Sequence, residues 1–160
     1  MRRSRLGGPS EPRWRWDPAN RVLQIWNGSA WCTITPQSAS VATEETHSSA
    51  SFGDLATSGP AVTLDTGTSA LVTISCTAKH SGLGVLIRMG WAVSGATTLA
   101  ASDTYAAAVT SPVAGYYFQM SRTVLYSSLT AGSNTFTAKY YGGSATASFL
   151  RRGITVVAIP

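Results

Sequence analysis

The sequence is poor in charged residues, in cysteine and in long apolar runs, and each shortage excludes a class of protein. Charged side chains make up 12% of the 160 residues while 44% are hydrophobic, which is too apolar for a disordered chain. The only two cysteines, Cys32 and Cys76, are far apart in the sequence. They therefore lack the close spacing of cysteine ligands in a zinc site. No apolar run approaches the roughly 18 residues of a membrane span.

The first residues do not form a secretory signal. Arg2, Arg3 and Arg5 are followed by the Gly/Pro-rich segment 7–12, where a signal peptide needs an apolar region. We therefore expect synthesis and assembly in a cytosol. Because a cytosol is reducing, we also expect the two cysteines to be small buried residues rather than a disulfide.

The positive charge is concentrated at the N-terminus. Residues 1–21 hold six arginines and two acidic residues, a net charge of +4, and the rest of the chain holds six cations and five anions, a net charge of +1. A basic arm is typical of contact with nucleic acid, an acidic protein surface or a membrane. A solvated terminus is the alternative.

The N-terminal arm alternates arginine with tryptophan. Residues 1–12 carry glycine and proline and little apolar content, which predicts an extended tether. Residues 13–16 read Arg-Trp-Arg-Trp, so an extended chain places Arg13 and Arg15 on one side and Trp14 and Trp16 on the other. Residues 17–20 then predict a turn.

A β-hairpin is predicted over residues 21–34. Asn27-Gly28 between two apolar runs favours a two-residue turn, which would place Trp26 opposite Ser29. One face then carries Val22, Trp26 and Trp31, and the other carries apolar residues at 23, 25, 30, 32 and 34. Both faces are apolar, and an isolated hairpin is marginally stable in water, so we expect this one to pack on something.

Three interpretations of the hairpin remain open. It could cap the end of its own domain, dock onto a partner protein, or bind nucleic acid by stacking and phosphate contact. Nucleic acid is disfavoured because the cations beyond the arm are scattered along the sequence. For docking onto a protein partner, the candidate residues are Arg13, Trp14, Arg15, Trp16, Trp26 and Trp31.

The rest of the chain predicts an all-β fold. No segment shows sustained helical periodicity, and alternating strands are expected near 62–64, 70–78, 85–93, 116–125, 136–140, 145–150 and 154–159, with a loop over 102–115. This pattern is typical of an antiparallel β-sandwich or jelly roll. We predict an N-terminal arm and hairpin over residues 1–40 and a sandwich domain over residues 41–160.

Several strings resemble a known module. The segments 51–64, 67–73, 92–96 and 129–140 are similar to a β-sandwich that recurs in virion proteins of tailed bacteriophages, particularly those of actinobacteria, and residues 25–31 resemble the short hairpin of phage fibre and decoration proteins. The resemblance implies a protein displayed on the virion surface, held by other tail or capsid subunits and assembled as a homo-oligomer, often a trimer. It leaves tail and head locations open.

The sequence contains no recognisable catalytic, cofactor or metal constellation. His47 and His80 are expected in surface loops without the partners that a metal site needs. Glu44 and Glu45 are adjacent and would point to opposite faces of a strand, which prevents a paired carboxylate site. We therefore expect a protein that is not an enzyme and carries no cofactor. The alternative function is a module that binds host glycans through loop tyrosines, for which the candidates are Tyr105, Tyr116 and Tyr117.

Overall fold

The computed structural model describes residues 13–160, and nearly every regular element in this range is a β-strand. The tether predicted for residues 1–12 lies outside the described residues. The strands are β1 (Arg13–Asp17), β2 (Val22–Trp26), β3 (Trp31–Thr33), β4 (Gln37–Val41), β5 (Glu45–His47), β6 (Ala61–Thr66), β7 (Ser69–His80), β8 (Leu86–Gly95), β9 (Ala107–Thr110), β10 (Phe118–Tyr126), β11 (Gly132–Tyr141) and β12 (Ala147–Ile159). One turn of 3₁₀-helix, Asp103–Tyr105, precedes β9.

The strands form three antiparallel sheets. A four-stranded sheet has the order β6-β11-β8-β9, and a five-stranded sheet has the order β10-β7-β12-β4, with β5 also pairing with β12. The short N-terminal sheet has the order β1-β2-β3. The predicted antiparallel β-sandwich is therefore confirmed, and the N-terminal sheet is attached to it beside β6.

The core lies between the two large sheets, where alternate residues of each strand point inward. In β7 the predicted inward residues Val72, Ile74 and Cys76 are at most 2% exposed. Trp91 of β8 is fully buried, and its ring centroid lies 5.7 Å from that of Phe136. The alternation predicted for these strands is thus correct.

The predicted two-residue turn of the hairpin is wrong. Trp26 pairs with Trp31 rather than facing Ser29, so four residues connect β2 and β3. The Asn27 side chain explains the wider loop, because its Oδ1 accepts hydrogen bonds from the backbone N–H groups of Ser29 and Ala30, both at 3.0 Å. These contacts satisfy the loop backbone without a tight Asn-Gly turn.

Other predicted boundaries also differ from the structure. β4 and β5 fall in a segment where no strand was expected, and β9 lies inside the predicted loop 102–115. The two predicted C-terminal strands are one strand, β12, interrupted by a bulge between Leu150 and Gly153 in which Arg151 has a φ of 49°. The predicted boundary between residues 40 and 41 falls within β4, which pairs with β12.

The histidines are not the surface loop residues that the sequence predicted. His80 is the last residue of β7 and is fully buried, with Nε2 2.9 Å from the Gly142 carbonyl oxygen. His47 ends β5 and is half-buried. Neighbouring loops cover both rings, which the local sequence does not reveal. Cys32 and Cys76 are buried and unpaired, as expected.

Candidate functional site

The N-terminal sheet presents two different faces, and the strand register assigns each side chain to one of them. β1 pairs with β2 so that Trp14 lies opposite Ile25 and Trp16 lies opposite Leu23. These four residues form one apolar face, which we call the tryptophan face. The opposite face carries the other proposed docking residues, Arg13, Arg15, Trp26 and Trp31, together with three residues that approach the sandwich, Val22, Gln24 and Thr33.

The face toward the sandwich is a polar network covered by aromatic rings. The Arg15 Nε donates a hydrogen bond to the Gln24 Oε1 at 2.9 Å, and its guanidinium lies 4.2 Å from the centroid of the Trp31 ring. Gln24 is 2% exposed and donates to the Asp65 carboxylate of β6 at 3.3 Å. Trp26 and Trp31 contact each other, with ring centroids 5.7 Å apart. Arg15 and Trp31 are therefore used within the chain.

The N-terminal sheet also reaches the core through β3. Cys32 is fully buried, and a Cβ atom placed on Gly67, in the turn between β6 and β7, would lie 3.1 Å from its sulfur. Burial raises the pKa of the Cys32 thiol. Beside this contact, a cleft of about 330 Å³ separates the sheet from β6, lined by Asn20, Gln24, Gln37, Thr63, Asp65 and Ser133 among others.

The tryptophan face is open to solvent at β1, whereas at β3 the same face contacts the sandwich through the buried Cys32, which pairs with Ile25. Trp14 is 74% exposed and Trp16 is 56% exposed, while Leu23 and Ile25 beside them are half-buried. β1 is the outer strand of its sheet and pairs only with β2 among the described strands. The structure thus brings Trp14 and Trp16 together and separates them from Trp26 and Trp31.

A second cluster lies at the other end of the sandwich, on the outer surface of the five-stranded sheet. The Tyr117 Oη donates to the Glu44 carboxylate at 2.9 Å and accepts from the Lys79 Nζ at 2.6 Å. Lys79 also forms an ion pair with Glu44 at 2.8 Å. The Lys79 and Tyr117 hydrogen bonds hold the pKa of Glu44 below its usual range, and the same carboxylate raises the pKa of Lys79.

The three candidate tyrosines do not form one site. Tyr117 and its neighbour Tyr116 are 48% and 66% exposed. Tyr105 instead packs against the core, with its ring centroid 5.4 Å from that of Trp91 and 5.3 Å from that of Tyr126. The sequence did not reveal that Lys79 and Glu44 join Tyr117, because the three residues meet only through the pairing of β10 and β12 with β7.

The two clusters occupy opposite ends of the sandwich. The N-terminal sheet contacts the turn that precedes Ser69, and the Tyr117 cluster lies beside Lys79. Ser69 and Lys79 both belong to β7 and are ten residues apart. At about 3.3 Å for each residue of a strand, the distance between them is roughly 33 Å. This length is nearly the whole of the sandwich.

A buried ion pair lies inside the same sheet. Arg152 is fully buried, and its Nη2 is 3.2 Å from the Glu45 carboxylate. Hydrogen bonds from Thr57 are the main reason that the pKa of Glu45 is lowered, and the Arg152 charge adds to the effect. Glu44 and Glu45 thus have separate partners, Lys79 and Arg152, on the two sides of the chain.

The acidic groups and histidines do not converge on a metal site in the described part of the chain. Between residues 13 and 160, no three His, Cys, Asp or Glu residues are placed to hold a metal ion. No helix in this range is long and apolar enough to cross a membrane.

The comparisons with known proteins identify the fold. No family model matches the chain, and no curated protein sequence matches it. Among solved structures, the Eiger TNF from S. frugiperda is 12% identical over 78% of this chain and 92% of that one, with a TM-score of 0.54. At this identity the likeness shows only a shared jelly-roll-like fold.

Two further structural neighbours belong to other classes of protein. The VP2 subviral particle of infectious bursal disease virus is 12% identical over 82% of this chain but only 36% of its own chain, with a TM-score of 0.49. The CBM35 from Cellvibrio japonicus Abf62 is 12% identical over 78% of this chain and 95% of its own, with a TM-score of 0.39.

Proposed function

We propose that this chain is a non-enzymatic structural protein of a tailed bacteriophage particle, which its N-terminal sheet anchors to a neighbouring subunit while the sandwich is displayed outward. The sequence resemblance to phage virion modules supports the assignment, and the arrangement of the two ends supports the mechanism.

The exposure of Trp14 and Trp16 is the observation that carries the proposal. Scattered exposed apolar residues are normal, whereas a contiguous apolar patch marks an interaction surface. Two exposed indoles beside Leu23 and Ile25 form such a patch. Tryptophan is among the residues that contribute most to binding at the centre of protein interfaces, at about 2 kcal/mol or more for each strong contact.

The free edge of β1 supplies a second means of attachment. An outer strand has backbone N–H and C=O groups without a neighbouring strand, and a partner can pair with them. Because β1 carries the tryptophans on one face, the same strand offers both backbone hydrogen bonds and apolar area to one partner.

The absence of enzymatic activity is part of the proposal and is supported by how the carboxylates are used. A catalytic acid or base needs a carboxylate that is free to exchange a proton with a substrate. The five carboxylates of the sandwich contact structural partners instead, namely Glu44 with Lys79, Glu45 with Arg152, Asp54 with Lys139, Asp65 with Gln24 and Asp103 with Arg88.

The finer assignment rests on the resemblance. We favour a minor tail, tail-tip or fibre subunit of an actinobacterial phage over a capsid decoration protein, and we expect a homotrimer. On the tail or on the capsid, the N-terminal sheet would have to contact another virion protein. One experiment therefore tests the anchoring mechanism for both locations.

The test compares particles assembled with wild-type protein and with the double variant Trp14→Ser, Trp16→Ser. The variant should fold normally, because both side chains are exposed, and should be depleted at least tenfold in purified particles. Leu83→Ser is the matched control, since Leu83 is 72% exposed at the opposite end, and it should assemble normally. Normal incorporation of the tryptophan variant would contradict the proposal.

Point variants are preferable to deletion of the whole arm. Removing residues 1–34 would delete Cys32 and Thr33, which are at most 3% exposed. The part of the sandwich that these two residues cover would then be exposed to water. A truncated protein could then fail to assemble because it unfolds, whereas the tryptophan variant separates anchoring from folding.

A further inference from the structure

We infer that the outer face of the five-stranded sheet binds a neutral polysaccharide, with the Tyr117 cluster at one end of the binding surface. The inference goes beyond anchoring, because it assigns a ligand class to a surface that the anchoring mechanism does not use.

The middle of the outer face is lined with hydroxyl groups and carries little charge, whereas the next row toward the N-terminal sheet contains the apolar residues Leu125, Leu71 and Val157. The strand register places Thr123, Thr73, Thr155 and Ser38 in one row across four strands. The next row contains Ser121, Ser75, Gly153 and Ser40. Both rows consist of short side chains, so the surface is flat and rich in groups that both donate and accept hydrogen bonds.

An aromatic ring lies beyond these rows, at the end of the sheet where β10 begins. Tyr117 precedes β10, and Gln119, the first outward residue of that strand, is exposed beside Thr77. An exposed tyrosine supplies an apolar face and a polar tip, which suits a ligand with the same mixed character. A pyranose ring has this character, with C–H groups on its faces and hydroxyls on its rim.

The electrostatics favour an uncharged ligand. The charged groups of the Tyr117 cluster, Glu44 and Lys79, neutralise each other at 2.8 Å. An anionic polymer would need a surplus of cations, and phosphate-binding surfaces rely on clustered lysine and arginine. Glu44, Lys79 and the Tyr117 hydroxyl can instead exchange hydrogen bonds with neutral hydroxyl groups.

The shape of the surface favours a polymer over a small molecule. Small ligands are bound in concave pockets that bury most of their surface, whereas this face is a sheet of short side chains. A chain of sugar units lying along the strands could contact Tyr117, Gln119 and the hydroxyl rows at the same time. Many weak contacts would then add to a usable affinity.

The experiment applies the full-length protein to an array of immobilised neutral and anionic oligosaccharides and measures binding to each positive glycan in solution by calorimetry. We expect at least one neutral polysaccharide to bind. Tyr117→Ala should weaken that binding at least tenfold, and Tyr117→Phe, which keeps the ring but removes two hydrogen bonds, should weaken it less.

The matched control is Thr63→Ala. Thr63 is exposed on β6 of the other large sheet, where its hydroxyl contacts that of Thr135, and its replacement should change the affinity less than twofold. The melting temperatures of the variants verify that each one is folded. Binding to anionic glycans alone, self-association through this face, equal binding by Tyr117→Ala, or no binding to any neutral glycan would overturn the inference.

The outcome is independent of anchoring. The variant Trp14→Ser, Trp16→Ser changes only the opposite end of the molecule and should bind the glycan with unchanged affinity. If incorporation into particles depends on Trp14 and Trp16 but no neutral glycan binds, the proposed function stands and this inference is refuted.

Discussion

Replacing both members of the buried ion pair, as Arg152→Met with Glu45→Gln, is expected to change the free energy of unfolding very little. Arg152 is fully buried and paired with Glu45 at 3.2 Å. Its other polar contacts are long, because the carbonyl oxygens of Thr57 and Thr43 are each 3.4 Å from the guanidinium. The Arg152 Nε has no hydrogen-bond partner among the described residues.

The opposing contributions nearly cancel. Burying a guanidinium costs several kcal/mol, and a buried N–H group without a partner adds about 1–3 kcal/mol. The ion pair and two long hydrogen bonds offset most of this cost. Methionine is unbranched and apolar, so it fills most of the same space. It has neither the desolvation cost and unpaired N–H of the guanidinium nor its ion pair and hydrogen bonds. We therefore expect the double variant Arg152→Met, Glu45→Gln to lie within about 1.5 kcal/mol of the wild type, since replacing both members of a buried ion pair is often neutral or stabilising. Arg152→Met alone should cost about 3–5 kcal/mol, because it leaves the Glu45 charge without its partner.

Alanine at the same position separates packing from charge. Arg152→Ala leaves a cavity, and large-to-small substitutions in a core cost about 2–5 kcal/mol. Urea unfolding monitored by tryptophan fluorescence gives the free energy for each variant. Arg151→Met is the control, because Arg151 is exposed in the same bulge. If the double variant Arg152→Met, Glu45→Gln were as unstable as Arg152→Ala, the ion pair would be a net stabilising contact and the reasoning would be wrong.

Three further predictions follow from the backbone, the carboxylates and the thiols. Gly95→Ala should lower the melting temperature and cost at least about 2 kcal/mol, because Gly95 has a φ of 104° and an added Cβ would clash with the backbone carbonyl oxygen of Ser133. The Lys139 hydrogen bond holds the pKa of Asp54 below its ordinary value of 3.8, so ionised Asp54 stabilises the fold at neutral pH and this stability is lost as the pH falls through the lowered pKa; Asp54→Asn should melt below the wild type at pH 7, and the difference should vanish in acid. Burial raises the pKa of Cys76 to about 12 and also that of Cys32, so a disulfide reagent at pH 8 should modify neither thiol in the native protein and both in denaturant.

The strands of the core could be predicted because their signal is local. In β7 and β11 an apolar residue occupies every second position over at least five residues, and this pattern is enough to specify an inward face. Residues such as Val72 and Phe136 are therefore buried as expected. The strands that were not predicted have no such pattern. β4 reads Gln-Ser-Ala-Ser-Val and forms because β12 offers it a free edge.

The hairpin shows which part of a prediction survives a register error. The observed pairing of Trp26 with Trp31 differs from the predicted pairing with Ser29 by two residues. Because side chains alternate with a period of two, a shift of two positions keeps each residue on its face, whereas a shift of one would have exchanged the faces. The predicted composition of both faces was therefore correct although the turn was wrong.

The contacts of the candidate sites could not be predicted from sequence, because they join residues that are distant in the chain. Glu44 meets Tyr117 only through the order of strands in the five-stranded sheet. Glu45 meets Arg152 because the bulge in β12 turns that side chain inward. Neither pair has a spacing that a linear motif could describe.

The N-terminal sheet also shows why capping and docking need not be alternatives. Its inner face is accounted for within the chain, since Val22, Gln24 and Thr33 are buried against the sandwich. Arg15 joins that cover through its hydrogen bond to Gln24. Trp14 and Trp16 lie on the other face of β1 and are exposed. A strand that served only to cap the core would be expected to place polar residues at positions 14 and 16, where water meets them. The exposed tryptophans there are what the proposed docking role predicts, and β2 pairs along the whole of the strand that carries them.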